Sequence, residues 1–219
     1  AMTHYIYGVT AVCGTDESSM VTVAFNTACA TIDLPYTETF ESTSATRNCW
    51  ELVSNNTTNV GGTYGMGFVT VSGREVLRFS SYSYASDYNQ YGFSPLLDVS
   101  SDAVNLQVAV TYAAYGSGDK LYFGYVTATD TVWDETEYSG SGSSSWQTYT
   151  AVIPATATQL AVHYYGSYAY YAWIDSVVVT ELTSSYCYPV TALTVSDVTS
   201  NSVTLTWVDA SNDGATYTV

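Results

Sequence analysis

Apolar and aromatic residues in this chain recur at every second position, and no long window sets them at the spacing of a helix face. The stretches "YIYGVTAVCG" (5–14), "MVTVAFNT" (20–27), "LAVHYYG" (160–166) and "NSVTLTW" (201–207) all carry this alternation, with turn residues between such runs. A period of two marks half-buried strands. β-branched and aromatic side chains suit a pleated surface, and 22 Tyr with recurring Thr, Val and Ser reinforce the reading. An all-β fold is expected. At 219 residues, 47% of them hydrophobic, the chain can bury a large core.

One strand pattern contains an anomaly. "YYAWIDSVVV" (170–179) is apolar and β-branched, yet Asp175 sits in its middle. An unpaired buried carboxylate costs several kcal/mol or more. Lys and Arg total only four, so a side-chain cation is not the expected partner and a metal ion is the next candidate.

The net charge of −16 and a pI of about 4.1 argue against nucleic-acid binding, where Lys and Arg must neutralise phosphates. They argue equally against anionic membranes. No apolar run approaches transmembrane length, so membrane insertion is not expected. The opening Ala1-Met2 pair reads as a cloning remnant, with any targeting segment removed. Cys13, Cys29, Cys49 and Cys187 show no CxxC and no His at ligand spacing, which favours disulfides and an extracellular or cell-surface location.

Catalytic motifs are not evident: there is no GxSxG elbow, HExxH helix or phosphate-binding glycine loop. His163 reads as a half-buried strand residue and His4 is the only other imidazole. "DTVWDETEY" crowds Asp130, Asp134, Glu135 and Glu137, but neighbouring positions face opposite ways. A solvated acidic loop is the plainer reading, and a second cation site the sharper one. Among the tyrosines, Tyr165 and Tyr168, flanking Gly166 in an expected hairpin tip, are the candidates for ligand contact.

Three pieces follow from the pattern: 1–28 with two strand patterns, 29–183 with roughly ten short strands at sandwich spacing, and 184–219 with three more. "SNSVTLTWVDA", with Trp207, resembles the second strand of a fibronectin type III domain, and "THYIYGVTAVCG" resembles its sixth. The order is inverted for one domain, which implies one period of a tandem array cut inside neighbouring fibronectin modules. Val203, Leu205 and Trp207 at one end, and Tyr5, Tyr7 and Val9 at the other, would then show incomplete apolar faces. Head-to-tail self-association, as a filament or a closed chain, with Cys13 linked to Cys187, is what that resemblance implies.

The central piece carries "CATIDLPYTETFESTSATRNCW", "YNQYGFSPLLDVS", "WQTYTAVIPATATQLAVHYYG" and "YYAWIDSVVVTEL" in order. It resembles the MAM-like jelly rolls, especially the cleaved-adhesin modules of bacterial surface adhesins and gingipain haemagglutinin regions. The resemblance implies a jelly-roll β-sandwich and a structural Ca²⁺ held between a Phe-Glu and an Ile-Asp, here Glu41 and Asp175. Ser176 stands where members often carry a second Asp, which bears on affinity. It also implies a Cys29–Cys49 disulfide around the Phe-Glu strand. The implied function is a non-catalytic repeat module of a secreted or cell-surface adhesin or fibre, with a host glycan or protein as partner. The alternative is an accessory carbohydrate-binding module of a secreted hydrolase.

Overall fold

The computed structural model describes residues 4–55, 61, 63–82, 87–140, 145–183 and 190–208, and β-strands dominate them. The first piece holds a long hairpin, β1 (His4–Val9) with β4 (Val21–Asn26), and between them the two-residue strands β2 (Val12–Cys13) and β3 (Asp16–Glu17). Among the described residues of the central piece fourteen strands follow. They begin with β5 (Ile32–Asp33), β6 (Tyr36–Glu38), β7 (Glu51–Ser54), β8 (Gly67–Val71) and β9 (Arg74–Ser80). Next come β10 (Asp87–Phe93), β11 (Leu97–Asp98), β12 (Ala103–Ala114), β13 (Asp119–Val126) and β14 (Thr131–Trp133). The last four are β15 (Tyr138–Ser139), β16 (Gln147–Pro154), β17 (Gln159–Ser167) and β18 (Tyr171–Thr183). A final hairpin joins β19 (Thr191–Ser196) to β20 (Thr204–Val208). The third strand expected there, in 215–219, lies outside the described residues.

The central strands form two six-stranded sheets. The front sheet runs β14-β13-β17-β10-β7 with β15 paired to β13; the back sheet runs β16-β12-β18-β9-β8 with β6 paired to β18. All these pairings are antiparallel. Alternate residues of each strand point between the sheets, as the pleat requires. Leu106, Val108, Val110 and Tyr112 of β12 meet Leu121 and Phe123 of β13 and Leu160, Val162 and Tyr164 of β17 in one buried cluster. The result is an all-β jelly-roll sandwich, the class expected from the alternation.

Strand β18 departs from period two. Its register against β12 slips by one residue between Ser176, opposite Thr111, and Ile174, opposite Tyr112. Asp175 is the unpaired extra residue of a bulge. Ala172 and Ile174 therefore face the core before the slip, and Val177 and Val179 after it. On its other side β18 changes neighbour at the same place, from β9 (Tyr171 to Ile174) to β6 (Val177 to Val179).

Among the described residues most buried polar side chains have partners; the Trp173 indole N–H and Arg47 Nε are buried without one. Gln90 on β10 accepts from Ser80 N–H (2.8 Å) and donates to Ser80 O (3.0 Å), joining the front sheet to the back. Asp119 is fully buried and accepts from Tyr164 O–H (2.7 Å), Gly116 N–H (3.0 Å) and Tyr170 N–H (3.0 Å). Burial pushes its carboxyl above the usual range against the pull of those donors. Glu38, also buried, accepts from Phe40 N–H (2.7 Å) and Thr46 O–H (2.6 Å). Its grip holds Phe40 at φ 57°, a left-handed conformation costly for a bulky residue, so the ring is buried against Trp50 (5.2 Å, edge-on) while Glu41 turns outward.

Cys29 and Cys49 form a disulfide across a separation of 20 residues, enclosing this segment. Cys13 is exposed and unbonded, and its expected partner Cys187 lies outside the described residues. Closing a loop of this length restricts the unfolded chain by about 3 kcal/mol in the chain-entropy account. Replacing both Cys29 and Cys49 by Ala should therefore lower the urea midpoint by an amount equivalent to about 3 kcal/mol. Equal midpoints for the two proteins would show that the loop is held by its hydrogen bonds alone.

Candidate functional site

Three surface features gather polar or aromatic side chains. The first lies where β18 exchanges β9 for β6. The bulge carries Asp175 out of the ladder, and Arg74, the first residue of β9, meets it with Nη1–Oδ2 at 2.8 Å. The Arg74 guanidinium also lies over the Trp146 ring at 5.3 Å. Asp175 thus has a side-chain cation as its partner, contrary to the expectation from the low Lys and Arg count. The pairing spans 101 residues of sequence, beyond the reach of a local pattern.

Glu41 sits at the same edge. Its carboxyl is raised above the usual range by desolvation, then by the neighbouring Glu75, and further by Asp175, with Arg47 opposing. Glu75 is lowered first by the Ser42 backbone N–H it accepts, and its Oε1 lies 3.7 Å from Arg47 Nη1. Arg47 also donates to Phe40 O (3.1 Å) and covers the Phe68 ring. The two residues expected to hold calcium are therefore brought to one place, joined there by Glu75 and two arginines. Among the described residues no three His, Cys, Asp or Glu side chains converge closely enough to hold a metal ion alone. A cation here would need backbone carbonyls as well.

The second feature covers the outer face of the front sheet. Positions facing water on β10, β13 and β17 would ordinarily be polar; here several in the middle of the strands are aromatic. Tyr91 and Tyr122 flank His163 in register on the two neighbouring strands. The Tyr91 and His163 rings stack at 4.5 Å and 10°, Tyr122 and His163 at 5.5 Å and 24°, and Phe93 continues the row from Tyr91 at 6.2 Å and 7°. Trp133 of β14 leans across the row, 5.7 Å from His163 and tilted 58° to it. Gly124 makes room for it, since a Cβ there would meet Val132 O at 2.3 Å and Trp133 Cε3 at 2.8 Å. Beside the row opens a groove of about 430 Å³ lined by Lys120, Tyr122, Trp133, Asp134, Glu135, His163 and Tyr165.

The third is a smaller hollow of about 190 Å³ formed by Tyr82, Tyr168, Ala169 and Tyr170 near the β17–β18 turn. Tyr64, Tyr115 and Tyr171 extend its aromatic surround. Tyr165 and Tyr168, expected together, are thus separated: Tyr165 faces the groove and Tyr168, at φ 48°, the hollow. Gly166 is not at the tip. It pairs with Tyr88 and Asp119 inside the sheet, and a Cβ on it would lie 2.2 Å from the Tyr164 hydroxyl.

The acidic run 130–138 behaves as a braced loop. Asp130 Oδ1 accepts Thr131 N–H (2.8 Å), Asp134 Oδ1 accepts Thr136 N–H (2.9 Å), and Glu137 pairs with Lys120 (2.9 Å) while accepting from Tyr122 O–H (3.1 Å). His163 is the half-buried, hydrogen-bonded strand residue expected from sequence, whereas its neighbours Tyr91, Tyr122 and Trp133 carry no distinguishing local signal. Aromatic residues fall at alternate positions on both phases of "LYFGY" and "HYYG".

No family model matches the sequence, and no curated protein does. Among solved structures the chain is similar to the K2 cleaved adhesin domain of Lys-gingipain, at 19% identity over 68% of this chain and 99% of that one, with a TM-score of 0.50. It is also similar to the K3 cleaved adhesin domain of Lys-gingipain from Porphyromonas gingivalis (16% identity, 66% and 96% covered, TM-score 0.47). A third is TmCBM61 in complex with β-1,4-galactotriose (10% identity, 63% and 91% covered, TM-score 0.47). At these identities the likeness concerns the fold: a cleaved-adhesin-like jelly roll.

His163 offers a check on the outer face. It is half-buried in the stack with Nε2 2.9 Å from Asn89 Oδ1, and burial lowers its pKa. The unfolded chain takes up a proton near the ordinary value of about 6.5 while the folded chain resists it. The neutral ring therefore contributes stability above that pH, and the contribution falls as the pH drops toward the lowered folded value. Denaturant midpoints taken from pH 7.5 down to 5 should decline for this reason. His163→Phe, which keeps the stack and cannot titrate, should flatten that part of the slope; an unchanged slope would place the titration elsewhere.

Proposed function

We propose that this chain is a non-catalytic binding module of a secreted or cell-surface adhesin or fibre. The observation that carries the reading is the half-buried aromatic row on the outer face of the front sheet together with the open groove beside it. Concave, largely apolar sites with a few polar groups at their rim are where ligands bind. The Cys29–Cys49 disulfide supports an oxidising location, and no helix among the described residues is long and apolar enough to cross a membrane. A glycan or a protein at the surface of another cell is the class of partner that such a face suits. An accessory carbohydrate-binding module of a hydrolase would share the groove. The two readings part in the polypeptide joined to it, repeats in one case and a catalytic domain in the other. Incubation with arrayed glycans and extracellular-matrix proteins should give retention without turnover; hydrolysis abolished by Asp134→Asn or Glu135→Gln would overturn it.

A structural calcium belongs to the same reading. The mutual repulsion of Glu41, Glu75 and Asp175 favours a divalent cation, and carboxylate oxygens are the donors that Ca²⁺ takes. Arg74 and Arg47 compete for the same oxygens. Calcium that binds only the folded chain raises its melting temperature once the free ion exceeds Kd. Millimolar calcium should raise Tm over that in EDTA, and Asp175→Asn should abolish the difference. Equal Tm in the two conditions would leave the arginines as the sole counter-charges.

Self-association is the other element proposed. In the hairpin β1–β4, the paired Val9 and Val21 are 72% and 74% exposed, and in β19–β20 Leu193 and Val195 are 61% and 60% exposed. Two-stranded ribbons with bare apolar faces are marginal alone and seek partners. Pairing of the tail hairpin of one copy with the head hairpin of another would bury both faces. Sedimentation velocity should show concentration-dependent oligomers that disappear when Val9 and Val195 are both changed to Asp. A monomer at all concentrations would remove this part.

A further inference from the structure

The groove beside Trp133 has a chemistry that selects among ligands. We infer that it binds a neutral saccharide and turns away acidic glycans; this rests on the reading of the chain as a binding module.

The argument begins with charge. Among the described residues Lys120 is the only Lys or Arg lining the groove, and its ammonium is committed to Glu137 at 2.9 Å. That contact and the Tyr122 hydroxyl hold Glu137 low and Lys120 high in pKa, so both remain charged and cancel. Asp134 and Glu135 then stand uncompensated on the wall. On a chain of net charge −16, an incoming sulfate or carboxylate meets repulsion and no free cation.

Shape and polarity supply the positive half. About 430 Å³ falls within the range of small-ligand sites, roughly 300–1,000 Å³. Trp133, Tyr122, His163 and Tyr165 give the apolar wall on which the C–H face of a pyranose can rest. Asp134 is engaged by Thr136 N–H and by the Tyr138 and Tyr149 hydroxyls, which leaves Glu135 to accept hydrogen bonds from sugar hydroxyls, and charge-assisted bonds of this kind are the stronger ones. The groove lies open on the face of β13 and β17 beside the short β14, which accommodates a chain of rings better than a closed cage for a single cationic head. Its floor is preformed: Gly124 admits the indole, Asp134 N–H is anchored to Phe123 O (2.8 Å), and the Tyr91–His163–Tyr122 stack backs the wall. A rigid site loses little entropy on binding.

The test uses the full chain with cellohexaose, xylohexaose, mannohexaose and N-acetyllactosamine as neutral probes, sialyllactose and heparin hexasaccharide as acidic ones, and choline as a cationic one. Isothermal titration should register at least one neutral probe and neither acidic probe. Trp133→Ala should weaken that binding by about tenfold or more, and Tyr165→Ala should weaken it in the same direction. Tyr168→Ala, in the separate hollow, should leave it unchanged. Circular dichroism and Tm establish that each variant is folded, and Trp133→Phe serves if the alanine variant is not. Neutral binding that survives both groove substitutions would overturn the site while the module reading stands. Preference for the acidic probes or for choline would overturn the ligand class. Retention of matrix proteins without any saccharide binding would overturn the inference alone, and failure of every probe and every matrix protein would overturn the module reading with it.

Discussion

A single unpaired residue in β18 decides how the back sheet is built. With strict alternation, Ile174 would be followed into the core by Ser176 and Val178, and Val177 and Val179 would face solvent. The slip at Asp175 resets the phase, so apolar residues fill the core on both sides of it. The same slip marks where β9 gives way to β6, and it opens the space that Arg74, Glu75, Glu41 and Arg47 occupy. Core packing and surface chemistry at that edge are therefore consequences of one local irregularity. Bulges bend a strand and aim side chains out of the ladder, and this one delivers a carboxylate to its partner.

The cations show how a chain with four basic residues spends them. Arg74 meets Asp175, Arg47 approaches Glu75, Lys120 meets Glu137, and Arg78 donates to Gly65 O through Nε (2.8 Å) and Nη2 (2.6 Å). Each sits where the fold brings acidic or carbonyl oxygens together; Glu38 and Asp119 are buried among hydrogen-bond donors, and most other carboxylates face solvent. Such a surface resists nonspecific association and makes contacts between copies sensitive to salt. The two outer faces also differ. Trp146 and Trp173 pack over the back sheet with Val76 and Ala113, whereas the aromatic row of the front sheet borders an open groove.

Much of the architecture was legible in alternation alone, because the core face of a half-buried strand repeats every two residues and turn residues punctuate it. Asp175 was legible as an anomaly for the same reason. Its partner was not, since Arg74 is adjacent only after two sheets have assembled. The buried Glu38, Gln90 and Asp119 were hidden as well: a polar residue at a core phase looks identical to a surface one until its donors are placed around it. The outer-face row was obscured by abundance. With 22 tyrosines, local sequence does not separate those in the core, such as Tyr88 and Tyr164, from Tyr91 and Tyr122 on the opposite phase. Gly166 misled in another way. Glycine commonly marks a turn, but here it is needed because the Tyr164 hydroxyl occupies the space of its Cβ.

The Cys29–Cys49 bond has a mechanical meaning if the chain is loaded in tension from its two ends. A segment enclosed by a disulfide cannot pay out when the surrounding sheets separate. The stretch between these cysteines, a sequence separation of 20 that would otherwise extend to about 70 Å, is withheld from the contour. Force arriving from the N-terminal side bypasses the Phe40–Glu41 loop through the sulfur atoms and enters the sandwich at β7. The loop that bears Glu41 is thereby shielded from strain even while neighbouring strands are being pulled.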